Sequence, residues 1–285
     1  MIDLSIIIPH FNSPDTLQRL IDSIPNVPNF EIVVIDDNST KGIEQLKQCI
    51  EQNKSRNILF DYVELPLKGA GAARNKGLSL ATGKWVLFAD ADDFFLEGFE
   101  KSVSECFGYD VNVIYFPPTS VDIETGEVSE RHVHYANLVK NYIQNSNLEN
   151  ENLLRYQYWT PWSKLIRKDF IDRNKICFDN VLYSNDVMFS TKIGVLLETF
   201  QVVDKEIYCV TQSKESLTSV KNEKSKRIRT RVLCNYYFYL HRNLEKGVMQ
   251  QLGYTCKDFW YFTFYKYGLV EMKDMILSKF RKTGV

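Results

Sequence analysis

Three carboxylates crowd the end of a short apolar run: Trp85-Val86-Leu87-Phe88-Ala89 gives way to Asp90, Asp92 and Asp93. The run reads as a buried strand. Alternate side chains of an extended chain share a side, so Asp90 and Asp92 face the same way. Paired carboxylates suit a hard divalent cation, Mg²⁺ or Mn²⁺, which readily shares its coordination sphere with phosphates. A solvated acidic turn would show the same residues, and the pair alone does not separate the two readings. Position helps to decide, because open α/β sheets bind ligands beyond the carboxyl ends of their strands.

Two other stretches carry residue types with chemistry. Glu31-Ile32-Val33-Val34-Ile35 reads as a strand that ends in Asp36-Asp37. Those acids either cap the strand end or accept N–H groups from a ligand, as a carboxylate in a cleft does well. Lys68-Gly69-Ala70-Gly71-Ala72-Ala73-Arg74-Asn75-Lys76-Gly77-Leu78 should open a helix reaching Ala81. Its N-terminus offers free N–H groups and partial positive charge to a phosphate. Its small residues equally suit tight packing on a sheet. The pattern is neither a Walker A loop nor a dinucleotide fingerprint, which weakens the NTPase and dehydrogenase readings.

These groups need elements to hold them. Leu4 to Ile8 is a first strand, and Pro9 closes it because proline has no N–H for the ladder. Ser13 before Pro14 marks a helix start, and Leu17, Leu20, Ile21 and Ile24 recur at helical spacing. A second helix to about Asn53 leads to a third strand, Ile58 to Glu64. The alternation implies an α/β fold with a parallel sheet covered by helices. Farther on, Val111 to Phe116 is a strand stopped by Pro117-Pro118. Val121 to Val128 reads as a hairpin turning at Thr125-Gly126. His132 and His134 alternate on an extended segment, as a third metal ligand or as surface residues. Tyr135 to Tyr158 reads as helical.

Composition bounds the function. The chain has 285 residues, of which 44% are hydrophobic, enough for one large domain with a real core. A formal net charge of −1 gives no global attraction to nucleic acid, and no nucleic-acid module is present. The six cysteines are scattered without a C-x-x-C pair, which fits a reducing cytoplasm better than a disulfide framework or zinc site. The first apolar run is too short and too early for a signal peptide, and no stretch approaches the roughly 20 apolar residues of a membrane span.

Four segments taken together resemble the family 2 glycosyltransferases of GT-A fold: Ser5 to Asn12, Val33 to Thr40, Gly71 to Gly77 and Phe88 to Asp93. They occur in the family's order, each at a strand end or helix start. The resemblance implies a nucleotide-binding set of Pro9, Phe11, Asp37, Lys68, Arg74 and Asp90. In that set Phe11 stacks on the base, Asp37 accepts the base N–H, and Arg74 and Lys68 serve the diphosphate. It implies a Mn²⁺ or Mg²⁺ cofactor on Asp92 with Asp90 nearby, Asp93 fixing the loop.

Trp159 to Leu165 resembles the W-x-K-L segment that many bacterial members carry before the catalytic acid. Trp162 and Lys164 are thus candidates at the donor or acceptor sugar, Trp162 lying against a sugar face and Lys164 reaching a phosphate or carboxylate, or else a core ring and a surface charge. The family usually has Glu-Asp where this chain has Asn185-Asp186. Asp186 is then the general base, Asn185 lines the sugar site, and Val187, Phe189, Ile193, Val195 and Leu196 form the buried stripe of the helix. Without the resemblance, an acid there reads as a helix-dipole cap.

The expected organisation is a catalytic domain over 1–215, with a nucleotide-sugar half at 1–95 and an acceptor half at 96–215. A helical, basic and aromatic extension follows at 216–285. Lys221, Lys224, Lys226, Arg227, Arg229 and Arg231 precede Tyr236 to Tyr239 and Phe259 to Tyr265, and Lys279 to Lys282 lie near the end. Such a segment suits an anionic membrane surface or packs on the catalytic domain with its charges solvated. The expected activity is inverting, metal-assisted transfer of a sugar from a nucleotide diphosphate, best UDP, to a saccharide or lipid-linked saccharide hydroxyl. The expected location is cytoplasmic, peripheral at the inner membrane face, with the oligomeric state open. The rivals are a non-catalytic nucleotide-sugar-binding protein and a glycoside hydrolase, with a nucleotidyltransferase a weaker enzyme alternative.

Overall fold

The computed structural model describes residues 1–64, 68–212 and 222–255. In chain order the elements are β1 (Leu4–His10), α1 (Pro14–Asp22), β2 (Phe30–Asp36), α2 (Ile43–Gln52), β3 (Ile58–Tyr62), α3 (Ala70–Leu80) and β4 (Trp85–Phe88). Then come β5 (Phe94–Phe95), α4 (Phe99–Ser104), β6 (Val113–Tyr115), β7 (Thr119–Asp122), α5 (Val133–Gln144) and α6 (Leu148–Gln157). The remainder are β8 (Lys164–Arg167), α7 (Lys168–Arg173), α8 (Asn185–Leu196), β9 (Phe200–Val202), β10 (Tyr208–Gln212), α9 (Glu223–Asn243) and α10 (Lys246–Gln251).

The main sheet has seven strands in the order β3-β2-β1-β4-β8-β6-β9. All run parallel except β8, which is antiparallel to both neighbours. The chain builds outward from β1 to β3 and then returns to place β4 on the other side of β1. That reversal is the switch point at which a doubly wound sheet opens a crevice. His10, Asp36 and Ala89 all emerge at its carboxyl edge. The central strands are largely apolar because helices cover both faces: every residue of β4 is buried, and so are Leu4 to Ile8, whereas no residue of the edge strand β3 is buried. A small sheet, β5-β10-β7, stands apart from the main one.

Several local readings need correction. The first strand does not end before Pro9 but runs through it to His10, paired with β2 as far as His10↔Asp36. The missing N–H of Pro9 faces β4, whose pairing has already stopped at Ile7↔Phe88, so it costs no ladder bond. Asn145 breaks the stretch from Tyr135 to Tyr158 into α5 and α6, and the Asn147 side chain caps α6 by accepting the Asn150 N–H. His132 and His134 are not on an extended segment. His132 has helical dihedrals at the start of α5, and its Nδ1 lies 2.7 Å from Ser120 Oγ.

On α8 the buried set is broader than a stripe. Asn185, Met188, Ser190, Thr191 and Gly194 join Val187, Phe189 and Ile193, whereas Leu196 is exposed. The reason is that α8 is wedged between the sheet, α6 and α9. Gly194 lets it approach the Arg155 carbonyl too closely for any Cβ.

The extension is helical where it is described. Asn222 and Ser225 form a reciprocal capping box that starts α9. One face of α9, including Val232, Tyr236, Tyr237 and Leu240, packs with Val187, Met188 and Tyr156 in a second apolar cluster. Tyr236 and Tyr237 are thus buried against α6 and α8, while Lys224, Lys226 and Arg231 are exposed. Lys221, Phe259 to Tyr265 and Lys279 to Lys282 lie outside the described residues. No described helix is long and apolar enough to cross a membrane.

Candidate active site

The ends of β1 and β2 form the first wall. His10 is buried, with Nδ1 2.7 Å from an Asp36 oxygen. Its Nε2 accepts the Ser13 N–H at 3.2 Å, so Nδ1 carries the proton and donates it to Asp36. Asp36 also accepts the Ser39 N–H at 2.8 Å and the Ser39 hydroxyl at 2.5 Å. Burial alone would raise the Asp36 pKa, but the hydrogen bonds from His10 and Ser39 prevail and hold it below the ordinary value. Asn12, in the left-handed region at φ 55°, accepts the Thr40 and Lys41 N–H groups through Oδ1. The two strand-end loops are therefore one rigid joint.

Asp37 is different. One carboxylate oxygen accepts the Gly69 N–H at 2.7 Å. The other, Oδ1, is buried with no hydrogen-bond partner among the described residues. Burial raises the Asp37 pKa against the opposing pull of Gly69. A buried acceptor without a donor is costly, and a ligand N–H would satisfy it. Phe11, 53% exposed, stands beside this joint, and Pro9 is half-buried. Lys68 is exposed, and its charge acts on Asp37. Gly69 takes φ +92°, which few residues other than glycine adopt, to turn the chain from this joint into α3.

The second wall gathers acids from β4 and α8 around one cation. Arg74, on α3, is only 5% exposed. Its Nη1 donates to Asn185 Oδ1 at 2.8 Å and its Nη2 to Asp90 Oδ1 at 2.5 Å. The guanidinium also lies over the Phe178 ring, 5.3 Å from its centroid. Close packing of α3 makes the bridge feasible: a Cβ on Gly71 would fall 2.5 Å from the Asp179 carbonyl and 3.0 Å from Asn185. The small residues of α3 thus do serve tight packing.

Asp186 follows Asn185 in the first turn of α8, just after Ser184 at φ 55°. Burial pushes its pKa up; Arg74 and Lys164 act the other way, and Asp90 adds to the rise. Asp92 keeps its side chain exposed, yet the protein packed around it and the Asp90 charge raise its pKa. It makes no ion pair among the described residues, and its backbone carbonyl accepts from Arg19 and from Thr211 Oγ1. Asp93 is buried and points inward. It accepts the Tyr208 hydroxyl at 2.8 Å and the Thr211 N–H at 2.7 Å. Tyr208 in turn accepts the Asp90 N–H at 2.8 Å, so Asp93 fixes the loop that presents Asp90 and Asp92. Burial, with Asp92 and Asp90 close by, raises the Asp93 pKa well above the ordinary value.

The W-x-K-L segment lies behind this wall. Trp162 is buried and stacks on Tyr208 with ring centroids 5.9 Å apart. Lys164 is not a surface charge. It is buried, its Nζ donates to the Tyr158 carbonyl at 2.7 Å, and it lies 4.5 Å from the Tyr158 ring centroid. Burial lowers its pKa well below the ordinary value.

Tyr208 and Thr211 have no sequence signal of their own: Tyr208 to Gln212 reads only as a strand, more than a hundred residues from the acids it supports. No cluster of three or more His, Cys, Asp or Glu residues suited to a metal occurs among the described residues. His132 instead meets Ser120 Oγ at the start of α5. A cation here would have Asp90 and Asp92 from the protein. That fits Mg²⁺ or Mn²⁺, which take the rest of their shell from water and phosphate.

With this geometry in place, comparison with known proteins is informative. The family model described as glycosyl transferase family 2 matches residues 5–173. An uncharacterized Escherichia coli K12 glycosyltransferase, YibD, is 24% identical over 253 residues, 85% of this chain and 70% of YibD. Streptococcus pneumoniae glycosyltransferase GlyA is 26% identical over 232 residues, 78% of this chain but 32% of GlyA. Among solved structures, residues 1–349 of Staphylococcus aureus TarS, in complex with UDP-GlcNAc, superpose with a TM-score of 0.69 at 21% identity. That match covers 96% of this chain and 78% of the TarS chain, and shows the fold to be GT-A.

Proposed function

The chain belongs to glycosyl transferase family 2, and from that premise we propose that it transfers a sugar from a UDP-sugar to a saccharide or lipid-linked saccharide hydroxyl, with inversion. The observation that carries this reading is the unpartnered, buried Asp37 Oδ1 beside exposed Phe11. A uracil ring between them would stack on Phe11 and donate its N–H to that oxygen. The GT-A match to a UDP-GlcNAc complex supports UDP as the nucleotide.

The diphosphate would then lie over the carboxyl end of β4, toward Asp90 and Asp92. A divalent cation there would neutralise charge growing on the departing diphosphate. Asp90 and Asp92 hold their place because Asp93 and Tyr208 fix their loop. Asp186 takes the acceptor proton while oxygen attacks the anomeric carbon and the bond to the diphosphate breaks. One base and a direct displacement invert the anomeric centre. The raised Asp186 pKa makes it a stronger base than an exposed aspartate, while Arg74 and Lys164 favour its ionised form.

The test is UDP release from a panel of UDP-hexoses and UDP-N-acetylhexosamines with Mn²⁺, alongside melting with UDP, GDP and CMP. The reading expects protection by UDP and turnover of one donor that is lost in Asp186→Asn. Near-normal turnover by Asp186→Asn removes the base. Binding without turnover of any donor favours the non-catalytic rival, and sugar cleavage without nucleotide favours the hydrolase. The exposed Lys224, Lys226 and Arg231 favour contact with an anionic membrane carrying a lipid-linked acceptor. Failure to bind anionic liposomes at low salt rules that contact out.

A further inference from the structure

We infer that Arg74 is a positioning residue, a buried clamp that ties the start of α8, and so Asp186, to the Asp90 loop, rather than a ligand of the diphosphate. The inference rests on the glycosyltransferase reading above and refines the roles within that site. Each terminal nitrogen of Arg74 is engaged within the protein, Nη1 by Asn185 Oδ1 at 2.8 Å and Nη2 by Asp90 Oδ1 at 2.5 Å, while the buried Nε has no partner among the described residues. Its side chain is 6% exposed, so it offers little surface to a ligand. The Phe178 ring covers it, and Phe178 is itself stacked on Phe189 of α8 at 3.8 Å.

The clamp joins three elements that are far apart in sequence. Arg74 on α3 touches a residue 111 positions away on α8 and another 16 positions away beyond β4. Arginine fixes two such acceptors in one geometry, because its guanidinium is a rigid planar fork, whereas lysine is a point charge on a flexible stem. The residue at 185 sharpens the argument. A glutamate there would hold the guanidinium by charge. Asparagine offers only a neutral carbonyl oxygen, so the Arg74 charge is balanced by Asp90 directly and by Asp186 through space. In this chain the same cation therefore stabilises the metal-binding acid and the ionised base, and links their positions.

The experiment uses the full chain with UDP as probe at saturating Mn²⁺. UDP affinity is measured by calorimetry, and amide hydrogen exchange is followed over residues 179–190, for wild type, Arg74→Gln, Arg74→Lys and Asn185→Ala. The clamp predicts that Arg74→Gln binds UDP within about fivefold of wild type while exchange in that segment speeds up at least about tenfold. Arg74→Lys should loosen the segment nearly as much, because it keeps the charge but not the fork. Asn185→Ala is the gentler variant should Arg74→Gln fail to fold, and should also speed exchange with UDP affinity kept. A fall in UDP affinity beyond fivefold in the folded Arg74 variants, or unchanged exchange in any of the three, overturns the inference. If wild type itself does not bind UDP, it is the functional reading that fails and not the clamp, whose exchange prediction stands by itself.

Discussion

The two walls of the cleft handle their acids in opposite ways. At the ends of β1 and β2, Asp36 is held by His10 and Ser39 and its pKa is lowered. At the ends of β4 and at α8, Asp92, Asp93 and Asp186 all have raised pKa values, with burial the largest cause of each. The first wall is internally satisfied save for one oxygen of Asp37. The second is crowded with carboxylates, which Arg74, Lys164, Arg131 and Arg19 partly offset. The contrast separates recognition from reaction. A finished joint leaves one open acceptor suited to a ligand N–H, whereas crowded carboxylates are suited to a cation and a proton.

The sharpest way to break the contrast is to remove acids from the second wall. Asp186→Ala and Asp92→Ala should each cut transfer by about a thousandfold or more, the scale of losing a positioned base or cation ligand. Circular dichroism should show both variants folded. Loss of the fold instead would make these acids structural, like Asp36.

Asp37→Ala addresses the first wall. UDP affinity should fall roughly 10- to 100-fold, the worth of a hydrogen bond to a charged group at about 1.5–3 kcal/mol. The turnover number at saturating donor should change little, and a calorimetric titration beside a kinetic one separates the two. Asp36→Asn should do the reverse. It should lower stability by about 1–3 kcal/mol in a denaturant titration at neutral pH, because it breaks a buried hydrogen-bonded set.

Acidification gives the mildest separation. Folding lowers the Asp36 pKa, so its stabilisation is present above the ordinary carboxylate range and is lost only as pH falls through the lowered value. Asp186 moves the other way. It must be ionised to act as a base, so transfer should fade at a pH above the ordinary carboxylate range. Parallel pH profiles of kcat and of unfolding free energy should show activity failing first. Coincident loss would place both acids in one electrostatic environment.

Much of the first wall was legible in the sequence because its parts are local. Strand, acid pair and small-residue helix follow one another, and β-α-β alternation fixes which ends share an edge. Asp37 and Asp36 could be ranked there only through the family resemblance, and the unpartnered oxygen now gives that ranking a physical basis. The second wall was less legible because its contacts span long sequence distances. Arg74 reads as a phosphate ligand, and nothing local shows that its two terminal nitrogens also reach Asn185 and Asp90. Lys164 reads as a sugar contact or a surface charge, but it is buried beneath α8 with the Tyr158 carbonyl as its partner. The role of Tyr208 depends on β10 arriving beside β5, just past the acids, which no local pattern encodes. The alternating His132 and His134 suggest an extended segment, but His132 meets Ser120 at the start of α5, where the backbone is helical.

The central claim is most directly tested by calorimetric binding of UDP with and without Mn²⁺ to wild type, Asp37→Ala and Asp92→Asn. The account predicts metal-dependent UDP binding by wild type, weaker but still metal-dependent binding by Asp37→Ala, and loss of the metal dependence in Asp92→Asn. Equal UDP affinity with and without Mn²⁺ in wild type, or no UDP binding at all, would contradict it.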